Sequence, residues 1–377
     1  MRVRVRWPGG VRPRWARAPG WARVPGWARL PGWARLPGWA RLPGWARMPG
    51  WARVPGWARL PRWARRVLAV LLTLLVAVTV ASFSYNLATD GPPPRPAGLR
   101  FADGGGFDTR YLAWGTTGTP IVLVPGAFET ADTFDALGPV LAAAHYRVYA
   151  IDLTGTGYSA PSPPFSADHL ADQVVAFLRA EHLTGPDAAI LVGHSAGAAD
   201  VGIAALRAPG AVRGVIFLDG DATPLNGPSF LGTLMINPYR TTLLRLALSS
   251  DSLIRSIYNS QCGPGCPQLG QPGVNTWRWP LEQPGFSAEI SYTLSHGITI
   301  MTSAQFAALA AAPVPKAVIV GRSDPQMSPA DAAATARRIG APPPVYIPGR
   351  HLTMIASPRQ LAAAIEAFAT ASQNTAP

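Results

Sequence analysis

Hydrophobic residues in the larger, C-terminal part of this chain fall into short uninterrupted runs separated by helix-like stretches. The first run is YLAW, from Tyr111, and later runs include PIVLVPG, AAILVGHS and KAVIVG. Between them lie amphipathic stretches such as residues 167–182, where apolar positions recur at helical spacing. Apolar runs that alternate with helices are typical of a mostly parallel sheet with helices on both faces. The pattern therefore predicts an α/β fold from Leu99 onwards.

One connection between two apolar runs is much longer than the others. Residues 222–312 separate GVIFLDGD from KAVIVG, whereas connections in such folds usually have about 2 to 6 residues. We expect a helical cap or lid here, inserted after the sixth strand, with the core formed by residues 99–221 and 313–377. We expect its apolar and aromatic residues to form either the cap's own core or an apolar substrate pocket beneath a lid.

A run of a different kind precedes the α/β region. Residues 67–83 (VLAVLLTLLVAVTVASF) contain no charge, which predicts a transmembrane anchor or signal segment over residues 67–86. A Pro-rich linker, residues 87–98, separates it from the core. Since arginines flank only its N-terminal side, the positive-inside rule places the preceding residues in the cytoplasm. We expect the domain that follows to lie outside the cytoplasmic membrane, or the protein to be secreted if the segment is cleaved.

The N-terminal 66 residues have their own composition. From Trp15 onwards they repeat the unit W-A-R-x-P-G, whose Pro and Gly prevent a continuous helix, so we expect a disordered tail. The tail carries 16 Arg and no acidic residue, which leaves 17 basic and 20 acidic residues elsewhere, a net charge of −3. Despite the overall charge of +13, the remainder therefore gives no electrostatic indication of nucleic-acid binding. Three interpretations of the tail stay open. It contacts anionic lipid, it arose by tandem duplication in the gene, or synthesis really begins at Met48.

The chain has two cysteines, Cys262 and Cys266, and they enclose only Gly-Pro-Gly. They are too few to complete a zinc site, and the next histidine is His296. A disulfide is the better interpretation in an exported domain. The sequence indicates neither a metal nor a cofactor.

The pentapeptide GHSAG, residues 193–197, follows one apolar run directly and precedes an alanine-rich helical stretch. A serine in a sharp strand-to-helix turn needs such small neighbours. Four further segments each follow a predicted strand: LVPGAFET (123–130), DLTGTGYSAP (152–161), VIVGRSDPQMSP (318–329) and IPGRHLTMIASP (347–358). In this order they resemble the loops of the α/β-hydrolase family, and the resemblance extends from Leu99 to about Ala371.

The resemblance implies a serine hydrolase that cleaves an ester-like acyl group of a small-molecule substrate. Ser195 would be the nucleophile, His351 the general base and Asp324 the acid that orients it. The backbone N–H groups of Ala127 and Ala196 would form the oxyanion hole.

Several alternatives stay open at this point. Asp219 also follows a strand, and some relatives carry the acid at that position. Pro125 replaces the usual His before Gly126, and Arg350 stands where Gly often precedes the catalytic His. The same three side chains would also suit an acyltransferase, a peptidase or a carbon–carbon bond hydrolase. Finally, the fold could serve as a non-catalytic binding module.

Overall fold

The computed structural model of the chain describes residues 60–223, 236–298 and 300–374, and the predicted repeat tail up to residue 59 lies outside them. The chain divides into two units, residues 1–74 and 75–377. Helix α1 (Arg62–Ala88) begins in the first unit. Within the described ranges, it is the one helix long and apolar enough to cross a membrane. It covers the segment predicted as an anchor or signal.

The second unit contains an eight-stranded sheet in the order β1-β2-β4-β3-β5-β6-β7-β8. Its strands are β1 (Arg100–Gly104), β2 (Phe107–Trp114), β3 (Pro120–Val124), β4 (Arg147–Ile151), β5 (Ala189–His194), β6 (Val212–Leu218), β7 (Lys316–Gly321) and β8 (Val345–Ile347). Strand β2 is antiparallel to β1 and β4, and the pairs from β4 to β8 are parallel. The prediction of a mostly parallel α/β sheet is confirmed. Strand β1 precedes the first run that the pattern predicts.

The central strands are buried on both faces, which explains their continuous apolar sequences. In β3, Val122 and Val124 pack into a first hydrophobic core, while Ile121 and Leu123 pack into a second one on the other side. Side chains alternate between the two faces of a strand. The sheet therefore separates the two cores, and each core is closed by a layer of helices.

Seven helices of the second unit accompany the strands or follow the last one. They are α2 (Gly138–Ala143), α3 (Ala167–Ala180), α4 (Gly197–Arg207), α9 (Ser303–Ala311), α10 (Pro329–Ile339), α11 (Thr353–Ala356) and α12 (Pro358–Asn374). The first core receives side chains from α3, α4, α9 and α10, and the second receives side chains from α2, α11 and α12. Helix α3 matches the amphipathic pattern at 167–182.

Between β6 and β7 the described residues form α-helices and no strand. These are α5 (Tyr239–Leu248), α6 (Asp251–Cys262), α7 (Gln271–Arg278), α8 (Phe286–His296) and then α9. We call residues 222–312 the cap segment. Because β6 and β7 are parallel neighbours in the sheet, the cap segment leaves the core at the carboxyl end of β6, and α9 leads the chain back to the amino end of β7.

Candidate active site

Ser195 lies in the turn between β5 and α4, and its backbone has a φ of 50°, in the left-handed region that non-glycine residues rarely adopt. The flanking glycines make this turn possible. A Cβ on Gly193 would lie 2.2 Å from the carbonyl oxygen of Gly197, and a Cβ on Gly197 would lie 2.5 Å from that of Pro125. The small residues of GHSAG are therefore needed by the close approach of strand, helix and neighbouring loop.

The structure brings Ser195, His351 and Asp324 together. The Oγ of Ser195 lies 3.0 Å from Nε2 of His351, and Oδ2 of Asp324 lies 2.9 Å from Nδ1 of the same ring. When Nδ1–H donates to the carboxylate, Nε2 is left free to accept the serine proton. The other oxygen of Asp324 accepts a hydrogen bond from the N–H of Gln326, at 2.7 Å. The side chains of His351 and Asp324 are buried.

Asp219, the alternative acid, lies at the end of β6 with other partners. Its Oδ1 accepts a hydrogen bond from the Gly321 N–H at 2.6 Å, and its Oδ2 accepts one from the Thr353 hydroxyl. Burial is the largest cause that raises the pKa of Asp219 to about 7. Gly321 is the last residue of β7, and Thr353 lies after β8. The Asp219 carboxyl therefore joins the acid-bearing loop to the histidine loop.

The two alanines predicted for the oxyanion hole flank the serine. Ala196 follows Ser195 directly, and Ala127 belongs to the loop after β3. Among the described residues, neither backbone N–H has an intramolecular acceptor. Both alanines line one small cavity, and Ala196 also lines a second cavity that contains Ser195 and His351. Two free N–H groups beside the serine can therefore face a carbonyl oxygen bound there.

Known proteins resemble this chain in sequence and in fold. Residues 121–364 match the sequence profile of the Alpha/beta hydrolase family. The chain therefore belongs to the α/β-hydrolase family. A serine hydrolase-like protein of Dictyostelium discoideum is 26% identical over 164 residues, 42% of this chain and 43% of that protein. The pyrethroid hydrolase of Sphingobium wenxiniae is 36% identical over 111 residues, 27% of this chain and 36% of that protein.

Solved structures agree with the family assignment at the level of the fold. A membrane phospholipase A has a TM-score of 0.58 and 20% sequence identity, and the alignment covers 83% of this chain and all of that one. The chain spans less than half the length of the two curated relatives named above.

Two departures from the usual α/β-hydrolase pattern have structural answers. Arg350, beside His351, donates to the carbonyl of Ser260 at 3.0 Å, so its side chain is directed to the cap segment. Pro125 takes the place of a His before Gly126, and the loop is held instead by Glu129. Its Oε2 accepts a hydrogen bond from the Gly126 N–H at 3.1 Å.

Glu129 also pairs with His194, the second residue of GHSAG. Nδ1 of His194 lies 2.7 Å from Oε2 of Glu129, and Nε2 lies 2.8 Å from the carbonyl oxygen of His351. Both partners are acceptors, so both ring nitrogens carry protons and the ring is an imidazolium. The sequence gives no sign of this pair, because nothing around His194 indicates a partner and Glu129 lies 65 residues away.

The electrostatics of this pair are those of a buried ion pair. Burial opposes the charged ring, but the Glu129 carboxylate reverses the effect and raises the pKa of His194 to about 9. Burial likewise opposes the charge of Glu129, and the His194 charge holds the pKa of this carboxyl below its usual value. Each charge is thus stable because the other one is present.

The cap segment also reaches the candidate active site. The carbonyl of Gln261, at the end of α6, accepts the N–H of His351 at 3.0 Å, and its side-chain amide oxygen accepts a bond from the Gln326 amide at 2.8 Å. The next residue, Cys262, is buried and lies at disulfide distance from Cys266, with 5.9 Å between the two Cα atoms. The histidine and acid loops are therefore both attached to α6.

Within the ranges 60–223, 236–298 and 300–374, no group of three or more His, Cys, Asp or Glu side chains is arranged to hold a metal ion.

The buried pair leads to a test of pH-dependent stability with Glu129→Gln, which keeps the size of the side chain and removes its charge. The pKa of His194 is raised from 6.5 to about 9 in the folded chain. The corresponding stabilisation is therefore complete below pH 6.5 and is lost as the pH rises through about 9. We expect the variant to be less stable at pH 6.5 by on the order of 3 kcal/mol, and the difference to shrink towards pH 9.5.

Thermal unfolding of both proteins between these pH values measures the difference. Asp108→Asn, which removes an exposed carboxylate of β2, is the matched control and should show little change. A difference between parent and Glu129→Gln that stays constant over this pH range contradicts the ion pair.

Proposed function

We propose that the chain is a serine hydrolase that cleaves an ester-like acyl substrate. The observation that carries the proposal is the pair of hydrogen bonds that His351 makes with Asp324 and Ser195. The distance from Nδ1 to Oδ2 of Asp324 is 2.9 Å, and that from Nε2 to Oγ of Ser195 is 3.0 Å. The α/β-hydrolase family supports it, since members of this family use such a sequence of groups for acyl transfer. The names of two curated relatives, serine hydrolase-like protein and pyrethroid hydrolase, point in the same direction.

In the first half of the proposed reaction, Oγ of Ser195 attacks the carbonyl carbon of the ester and its proton passes to Nε2 of His351. The carbonyl oxygen becomes an oxyanion that accepts hydrogen bonds from the Ala127 and Ala196 N–H groups. Collapse of this intermediate breaks the bond to the leaving alcohol, which takes the proton from His351. The products of this half are the free alcohol and an acyl-enzyme on Ser195.

In the second half, water replaces the alcohol. His351 accepts a proton from the water as its oxygen attacks the acyl carbon, and the proton then returns to Oγ of Ser195 as the carboxylic acid leaves. Asp324 orients the ring and stabilises its charged form in both halves. Each half uses one proton transfer in each direction, so the enzyme ends in its starting state.

The location of the reaction follows from α1. We infer that this helix anchors the chain in a membrane, with the hydrolase core on the extracytoplasmic side, or that it directs secretion if it is cleaved. Its apolar side chains are largely exposed, for instance Val76 at 54% and Phe83 at 60%, as expected for a lipid-facing helix. Near its C-terminal end, Asn86 donates to the carbonyl of Pro238 at 2.9 Å, just before α5.

The nucleophile is tested by a fluorophosphonate probe, which forms a covalent bond with activated serines. We expect the full chain in detergent to be labelled and Ser195→Ala to remain unlabelled, because the reactive oxygen is lost. Ser295→Ala, which removes an exposed hydroxyl of α8, should be labelled like the parent. Labelling of Ser195→Ala at the parent's rate would rule out Ser195 as the nucleophile.

The acid is tested by two carboxylate-to-amide changes. Asp324→Asn should lower kcat for a p-nitrophenyl ester by about ten-thousandfold. The amide N–H would donate to Nδ1 of His351, so the ring proton would lie on Nε2, which could then not accept the serine proton. Asp219→Asn should lower it by about tenfold or less, since Asp219 contacts Gly321 and Thr353 instead. If the two variants lose activity equally, or if Asp219→Asn loses more, Asp324 is not the acid.

The orientation is tested by fusing alkaline phosphatase, which is active only after export, behind Gly98. We expect an active fusion, because the arginines precede α1 and the linker follows it. The same fusion placed behind Arg66 is the control and should be inactive. An inactive enzyme behind Gly98 contradicts the proposed orientation.

A further inference from the structure

The cavity that holds Ala127 and Ala196 is also lined by two carboxyl groups that the proposed reaction does not use. Asp200 contributes from α4 and Glu289 from α8 of the cap segment. We call it the acidic cavity. Since the two alanines carry the proposed oxyanion donors, a substrate bound with its carbonyl at Ser195 has part of its structure in or beside this cavity.

Asp200 is the deeper of the two carboxyl groups. Asp200 is 1% exposed to solvent. Among the described residues, neither of its carboxylate oxygens has a hydrogen-bond partner. Buried polar groups of folded proteins are nearly always hydrogen-bonded, and an unpaired carboxyl group is strongly unfavourable there.

Glu289 lines the cavity from α8 of the cap segment. Its carboxylate accepts a hydrogen bond from the Thr156 hydroxyl, in the loop after β4. This contact holds α8 against the core and fixes the position of the carboxyl group. The two acids influence each other electrostatically, because the charge of Glu289 disfavours ionisation of Asp200. The cavity thus presents two neighbouring acids from two separate elements.

No described cation lines the acidic cavity. Its titratable groups are Glu129, Asp200 and Glu289, and no Lys, Arg or His is among its lining residues. Glu129 is already neutralised by His194, whereas the other two have no positive partner of this kind. Residues 224–235, which lie outside the described part of the chain, contain no Lys, Arg or His. Among the residues that the structure describes, none therefore supplies a positive charge to this cavity.

We propose that the acidic cavity binds a cationic nitrogen group of the substrate, with Asp200 and Glu289 as its partners. This inference deepens the proposed function and rests on it in one respect: the cationic group belongs to the acyl part of an ester cleaved at Ser195. A protonated amine donates up to three hydrogen bonds and carries the charge that both carboxylates lack. An anionic acyl group would find no cationic partner among the described residues that line the cavity.

The pKa values of the two carboxyl groups agree with this geometry. Burial raises the pKa of Asp200 well above its usual value, and burial raises the pKa of Glu289 to about 7. A bound cation acts in the other direction on both groups, because an opposite charge nearby favours the ionised form of a carboxyl. The same two acids that are costly in the empty enzyme are favourable in the complex.

The test compares p-nitrophenyl esters that differ by one group, using the full chain in detergent. The 6-aminohexanoate ester is compared with the heptanoate ester, and the 3-aminopropanoate ester with the butanoate ester, so that an ammonium replaces a methyl group. The 6-hydroxyhexanoate ester supplies a neutral polar group of the same length. The readout is the ratio of kcat/KM for the amino ester to that for its methyl counterpart.

We expect this ratio to be about tenfold or more for the amino ester of fitting length, as for other charge-assisted hydrogen bonds. Asp200→Asn and Glu289→Gln should each lower the ratio by about tenfold. Either variant alone suffices if the other one does not fold. Glu282→Gln is the matched control, because Glu282 is a partly buried carboxyl of the cap segment that lies outside the acidic cavity, and it should keep the parent ratio.

Three results overturn the inference while leaving the hydrolase intact. They are a ratio of one or less at both chain lengths, a ratio that neither variant changes, and a hydroxy ester that is preferred to the amino ester. In each case the heptanoate and butanoate esters are still hydrolysed, and Ser195 still reacts with the fluorophosphonate probe.

Binding without catalysis separates the two proposals. Calorimetry of hexylammonium with Ser195→Ala should show binding that is about tenfold weaker when Asp200→Asn is added. If no ester is cleaved and no serine is labelled, the proposed function fails, and this titration alone decides the acidic cavity. Absence of binding to Ser195→Ala, or binding unaffected by the second change, overturns the inference.

Discussion

The buried contact between Glu129 and His194 joins three loops that the candidate active site requires. Glu129 belongs to the loop after β3, His194 ends β5 next to Ser195, and the second nitrogen of His194 reaches the carbonyl of His351. Each charge would be unfavourable alone in this position. Because the two charges are adjacent, the contact fixes the oxyanion loop, the serine turn and the histidine loop relative to one another.

The fold was largely predictable from the pattern of apolar residues. Central parallel strands are buried on both faces, so their sequences are continuous apolar runs that stand out between helices. Strand β1 was missed because RFADG has one buried position and lies at the edge of the sheet. Its sequence carries the weak signal of a half-exposed edge strand, and only its pairing with β2 makes it a strand.

The site was predictable where a residue type and its place at a strand end suffice. Ser195, Asp324 and His351 each follow a parallel strand of the sheet, and the family order makes them the candidates. The choice between Asp219 and Asp324 was not predictable, because both follow neighbouring strands. Only the side-chain directions distinguish them: one carboxyl faces His351 and the other faces the backbone of Gly321.

The Glu129 and Asp200 carboxyl groups show why sequence alone is insufficient for buried acids. Both lie within the same cavity wall, yet Glu129 has an imidazolium partner and Asp200 has none among the described residues. A sequence pattern cannot distinguish a compensated buried charge from an uncompensated one, since the compensating group comes from a distant segment. The distinction matters chemically. Glu129, whose charge is compensated, holds the loops of the candidate site in place. Asp200, whose charge is not, is the group that we propose binds a cationic group of the substrate.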